Sequence, residues 1–92
     1  MFTPVPRSPT PDPALAAAIR RLREERDMTR EALAFRSGLT TGSVARVELA
    51  QSVPGWDTVR LLAGALGVTL AQLAAEIEAE SWGDDRGSQA SS

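Results

Sequence analysis

The 92-residue chain has no cysteine, no histidine and no tyrosine, and all ten of its basic residues are arginine. Without thiols or imidazoles there can be no disulfide, no thiolate or imidazole metal site and none of the usual nucleophile and base pairs. A catalyst would have to be assembled from carboxylates, hydroxyls and arginine, and no pair of carboxylates is clustered in a segment that reads as a cleft. The chain therefore reads as a non-enzyme with no cofactor and no metal. Long apolar runs are also missing: nothing approaches the roughly 18 apolar residues of a membrane span, and the start of the chain lacks a signal-like apolar core. No membrane association and a cytoplasmic location are expected.

Excess charge is scarce too, at a net −2, but it is unevenly placed. Residues 14–60 hold eight arginines against six acids, whereas residues 61–92 hold one arginine against five acids. A mildly basic front half joins an acidic back end. Arginine suits phosphate and guanine contacts better than lysine does, because its planar fork donates two parallel hydrogen bonds.

Five of the six prolines fall within residues 1–13, so residues 1–12 read as an extended, disordered arm. Asp12 followed by Pro13 marks a helix start, with Leu15, Ala18, Ile19 and Leu22 at helical spacing up to about Arg26. Three further starts share one pattern, an apolar residue, a threonine cap and an apolar residue five positions after the first. They are Met28, Thr29, Leu33, then Leu39, Thr40, Val44, then Val68, Thr69, Leu73. In each, the hydroxyl caps an unpaired amide while the apolar pair closes as a staple, and Gln72 completes a capping box at the third.

A second helix over residues 30–37 thus ends at Gly38, and a third follows almost at once over about residues 41–49. After the loop at Pro54 and Gly55, the stripe Trp56, Val59, Leu62, Ala63, Leu66 predicts a fourth helix closed by Gly67. A fifth carries Leu70, Leu73, Ala74 and Ile77. Beyond it, residues 81–92 lose apolar periodicity and read as a disordered tail. The expected fold is an all-α, compact five-helix bundle spanning residues 13–80.

The stretch MTREALAFRSGLTTGSVARVE, then PGWDTV and LAGALGVTLAQL, resembles the phage-repressor (Cro and Xre) helix-turn-helix family across residues 15–77. Glu31, Leu33, Ala34, Gly38, Val44, Glu48, Pro54 and the run Ala65 to Val68 carry the match. The resemblance implies a lambda-repressor-like DNA-binding domain whose third helix enters the major groove while the second crosses above the backbone. It places the base-reading positions on Thr41, Gly42 and Arg46, with Ala45 beside them, and backbone contacts on Gln51 and Ser52. Arg30, where the family usually has a glutamine, reads as a phosphate grip at the start of the second helix, and Arg36 and Arg60 read as phosphate contacts or ordinary surface charges. It also sets Arg23 against Glu48 as an ion pair that fixes the recognition helix.

Arg46 is the long donor of the reading face and can grip guanine O6 and N7, for about 1–3 kcal/mol of discrimination. A solvated surface charge is the alternative for Arg46, and a helix-terminal hydroxyl for Thr41. The sequence departs from the family at Ala50, where a glycine is usual, and at Gly42, which thins the reading face. Phe35 and Leu49 add apolar groups where polar ones are common.

The expected function is a sequence-selective double-stranded DNA-binding transcriptional regulator, a repressor acting as a homodimer with recognition helices about 34 Å apart. Leu70, Leu73 and Ile77 are candidates for its dimer surface, or simply core. The alternative is a protein-interaction module, an antitoxin-like or accessory partner that keeps the fold and binds another protein.

Overall fold

A computed structural model describes the backbone of residues 10–90 and the side chains of residues 10–81. It contains five helices, α1 (Pro13–Glu25), α2 (Arg30–Ser37), α3 (Thr41–Glu48), α4 (Trp56–Leu66) and α5 (Leu70–Ala90), and no strand among the described residues. The fold is the all-α bundle expected from the apolar periodicity. Among the described residues no single helix is long and apolar enough to cross a membrane.

Side chains fix most of the helix starts. Thr29 Oγ1 accepts from the amide of Ala32, Thr40 Oγ1 from that of Ser43 and Thr69 Oγ1 from that of Gln72, each at 3.0 Å. The amide of Thr69 donates back to Gln72 Oε1 at 2.8 Å, completing the capping box. Asp12 Oδ1 accepts from the amide of Ala14 at 2.9 Å, ahead of the proline that opens α1. Only α4, preceded by Gly55, starts without a side-chain cap.

The first four helices end in one way. In each, the amide one residue past a left-handed turn position reaches back five positions: Met28 to the Arg23 carbonyl, Leu39 to Ala34, Gln51 to Arg46 and Val68 to Ala63. This closure needs one residue in the left-handed region. Gly38 (φ 77°) and Gly67 (φ 74°) fill it without strain, but Asp27 (φ 53°) and Ala50 (φ 55°) fill it with a β-carbon. The turn after α3 therefore takes the same closure as the turn after α2 while lacking the glycine that suits it. Arg26 reinforces two of these ends by donating to the carbonyls of Leu66 at 2.7 Å and Leu22 at 3.0 Å.

Every helix sends side chains to a single core. Ile19, Leu22, Leu33, Ala34, Val44, Val47, Leu62, Ala63, Leu66 and Leu73 are buried together, with Leu70 and Ile77 packed against their edge. Burying each large member contributes about 1.5–3 kcal/mol. The apolar side of α5 is thus spent on the core, while Ala74 stays exposed.

Two expectations need correction. Trp56, placed in the buried stripe of α4, is 63% exposed. It opens the helix, and helical side chains lean toward the N-terminus, away from the middle of α4 where Leu62, Ala63 and Leu66 meet the core. The tail expected to be disordered from residue 81 is helical up to Ala90. Arg21 donates to Glu76, to Glu80 at 2.8 Å and to Glu25 at 3.2 Å, tying α5 to α1 as far as Glu80. Residues 1–9, most of the proline-rich arm, and residues 91–92 lie outside the described residues.

Candidate nucleic-acid interface

Three residues, Gly38 to Thr40, separate α2 from α3. Along α3, Val44, Val47 and Glu48 turn inward, Thr41, Gly42 and Arg46 face solvent, and Ala45 is half-exposed. The helical period alone produces this division of a two-turn segment.

Arg46 lies back along α3, with Nη2 donating to Ser43 Oγ at 3.3 Å. Thr40, one turn earlier, donates its own hydroxyl to the same oxygen at 3.0 Å. Ser43 Oγ thus joins Thr40 and Arg46 along one face of the helix. A β-carbon added at Gly42 would sit in ordinary contact, 3.5 Å from Arg46 Nη1, which places the guanidinium directly over this position of the helix. Ser43, Arg46, Ser52, Val53, Gly55 and Thr58 line an open groove of about 210 Å³ beside α3. Arg46 and Ser52 are thus brought together, and Gln51 is exposed at the same loop.

Arg30 sits elsewhere. Its Nε donates to Glu48 Oε1 at 3.0 Å, behind the reading face. The two Nη groups have no hydrogen-bond partner among the described residues. Arg36 is exposed near the end of α2.

Glu48 is the centre of the support behind α3. Its side chain is fully buried, and Arg23 grips it with two bonds, Nε to Oε2 at 2.6 Å and Nη2 to Oε1 at 3.0 Å. A third Arg23 bond, Nη1 to the Met28 carbonyl at 2.7 Å, fastens the loop before α2. The bonds from Glu48, opposed by burial and helped by the nearby charges of Glu48 and Glu24, raise the Arg23 pKa above the ordinary arginine value. The carboxylate thereby holds α1, α2 and α3 at one point.

Sequence reasoning read Thr40 as a cap but missed the contacts of Ser43 with Thr40 and Arg46, although the three stand three apart, the spacing of neighbours on one helix face. It also missed the Arg21 cluster, two of whose partners, Glu76 and Glu80, lie more than fifty residues away and leave no local signal. Among the described residues no group of three or more histidine, cysteine, aspartate or glutamate side chains is placed to hold a metal ion.

Two short helices joined by a glycine turn, the second with an exposed polar face and a buried carboxylate behind it, define a helix-turn-helix domain. Residues 19–73 match the family described as Helix-turn-helix, and the chain belongs to that family in its Xre-type branch. It is a DNA-binding transcriptional regulator. Among solved structures, the chain is similar to the clp gene regulator ClgR from C. glutamicum, with 25% identity and a TM-score of 0.70 over 78% of this chain and 94% of that one. It is also similar to the restriction-modification controller protein C.AhdI from Aeromonas hydrophila, with 31% identity and a TM-score of 0.64 over 66% and 92% of the two chains. No curated protein matches it significantly in sequence.

Proposed function

We propose that the protein represses transcription as a homodimer on a two-fold symmetric duplex site, with α3 of each copy in the major groove. The observation that carries this reading is the exposed Arg46, braced by Ser43 on a face that Gly42 and Ala45 keep otherwise low. A guanidinium so placed can reach guanine O6 and N7 together. Thr41 and Ala45 flank it for a base edge or a thymine methyl. Arg30, anchored through Nε, has its Nη groups to offer a phosphate, and Arg36, Gln51 and Ser52 are further backbone contacts. Repression then follows from occupying promoter DNA. The regulators that the fold resembles, ClgR and the controller protein, support regulation of gene expression as the setting.

The test is in-vitro selection on a random duplex pool with the wild type and Arg46→Ala in parallel. Enrichment of a palindromic motif with a guanine whose preference the variant loses supports the reading. A second reading is favoured by Phe35, 89% exposed on α2, and by Leu49, 50% exposed at the end of α3. These would suit a protein partner, as in an antitoxin. DNA affinity that falls steeply with salt supports the first reading, and indifference to DNA with a stoichiometric protein complex supports the second.

A further inference from the structure

The outward side of α4 holds two of the large apolar side chains that the core leaves over, Trp56 and Leu61, which is 46% exposed. At 100° per residue, Trp56, Arg60, Gly64, Asp57 and Leu61 follow one another around a single arc about 140° wide. All five are exposed, while Leu62, Ala63 and Leu66 face the core on the other side. Trp56 and Leu61 form the two flanks of the arc, and an acid and a base lie between them. Neither Asp57 nor Arg60 takes part in an ion pair among the described residues.

The spacing of these charges identifies the occupant. Take a two-fold axis that crosses α4 at the level between Thr58 and Val59 and lies in the plane of contact. It runs a second α4 antiparallel to the first. Asp57 and Arg60 lie about 2.3 Å on either side of that level along the helix. Each Asp57 therefore stands at the height of the other copy's Arg60, and the ion pair forms twice. The two Trp56 rings cover the paired charges from one flank and the two Leu61 side chains from the other.

The same axis agrees with DNA. Thr58, on the Leu61 flank, lines the groove beside Arg46. An axis lying in the contact plane points out along that flank, so both copies open their grooves to one side, as a single duplex requires. The alternative surface on α5 is occupied, since Leu73 is buried and Leu70 and Ile77 pack on the core.

We propose that the exposed arc Trp56, Asp57, Arg60, Leu61 of α4 is the homodimer surface, with a second copy of this chain as its occupant. The proposal rests on the dimeric reading above and deepens it.

Charge reversal tests it, because both charged residues are on the surface and the fold does not depend on them. In sedimentation equilibrium, Asp57→Arg and Arg60→Asp should each weaken the dimer by about tenfold or more, since like charges then face each other. The double variant should recover to within about threefold of wild type. Dimerisation unchanged in either single variant, a double variant that stays monomeric, or a wild type that is monomeric both free and on a palindromic site would each overturn the proposal. Binding to a single half-site, measured alongside, separates the two readings. Half-site binding retained by the single variants leaves DNA reading intact whatever the dimer does, whereas no binding to any duplex, with charge-swap rescue present, overturns the DNA reading and leaves the α4 surface standing.

Discussion

Replacing Glu48 with alanine should destabilise the domain by about 3 kcal/mol, toward the lower end of the range for breaking a buried ion pair. The magnitude follows from what is left behind. Arg23 loses both bonds to the carboxylate, and its side chain, 11% exposed, keeps one hydrogen bond, to the Met28 carbonyl at 2.7 Å, and the half-exposed Glu24 carboxylate at 4.0 Å. Arg30 loses one bond, but its side chain is 33% exposed and can rehydrate at small cost. Most of the penalty therefore falls on the stranded Arg23 charge. For a domain of this size a loss of 3 kcal/mol lowers Tm by roughly 12–24 °C. The control is the exposed pair Arg20 and Glu24, 3.3 Å apart on one face of α1, where Glu24→Ala should cost under about 0.5 kcal/mol. Circular-dichroism melts and urea titrations measure both. Replacing both partners with apolar groups, Arg23→Met with Glu48→Leu, should recover much of the loss, because no unpaired charge then remains inside. If Glu48→Ala melts within about 1 kcal/mol of the Glu24→Ala control, the carboxylate is not the buried tie described here.

Ala50→Gly should stabilise the domain by about 1 kcal/mol, because the left-handed turn at φ 55° burdens a β-carbon that glycine lacks; the same melts show it as a higher Tm. Arg46→Ala should weaken binding to the selected site by about 1–3 kcal/mol and relax preference at one base pair per half-site, measured by competition binding. Arg30→Ala should instead weaken all duplexes alike and reduce the salt slope by about one. Arg21→Ala should barely move Tm, yet amides of α5 beyond Ile77 should lose hydrogen-exchange protection, since Arg21 holds Glu76 and Glu80. Hydrogen bonds to Glu80 and then Glu76 hold the Arg21 pKa above the ordinary arginine value. A raised pKa gives stability that is present below the ordinary value and lost only in strong alkali, so neither the Arg21 nor the Arg23 guanidinium should make stability vary across neutral pH.

The parts of the fold that were legible in the sequence are those with local causes. Threonine caps, staples and the left-handed glycines act within six residues, so α2 could be bounded at Arg30 and Ser37 from the sequence alone. The ties from Arg21 to Glu76 and Glu80 join residues far apart in the chain and leave no local signal, and composition misread the helix beyond residue 81. Trp56 has the right helical phase for the core, but its position in the first turn decides its exposure. In the candidate site, Arg46 was visible as the long donor of its face. The brace at Ser43 was not, because a serine in a short helix carries no distinctive signal until its hydrogen bonds are known.

The thin reading face and the exposed α4 arc belong to one physical argument. With Gly42 and Ala45 on α3, one half-site offers a single bidentate contact, which discriminates by about 1–3 kcal/mol. Specific sites must exceed non-specific binding by about 4–10 kcal/mol. A monomer falls short of that range unless Thr41 and Ser43 each add a contact as strong. Two copies on a symmetric site double the base contacts without adding a residue, and they add selection for spacing as well. A chain that reads so little per copy needs a second copy held in fixed register, and paired charges at the level of Thr58 would fix it. The rigidity of α3 matters for the same reason, since a register set at α4 reaches the bases only through a helix that Glu48 holds in place.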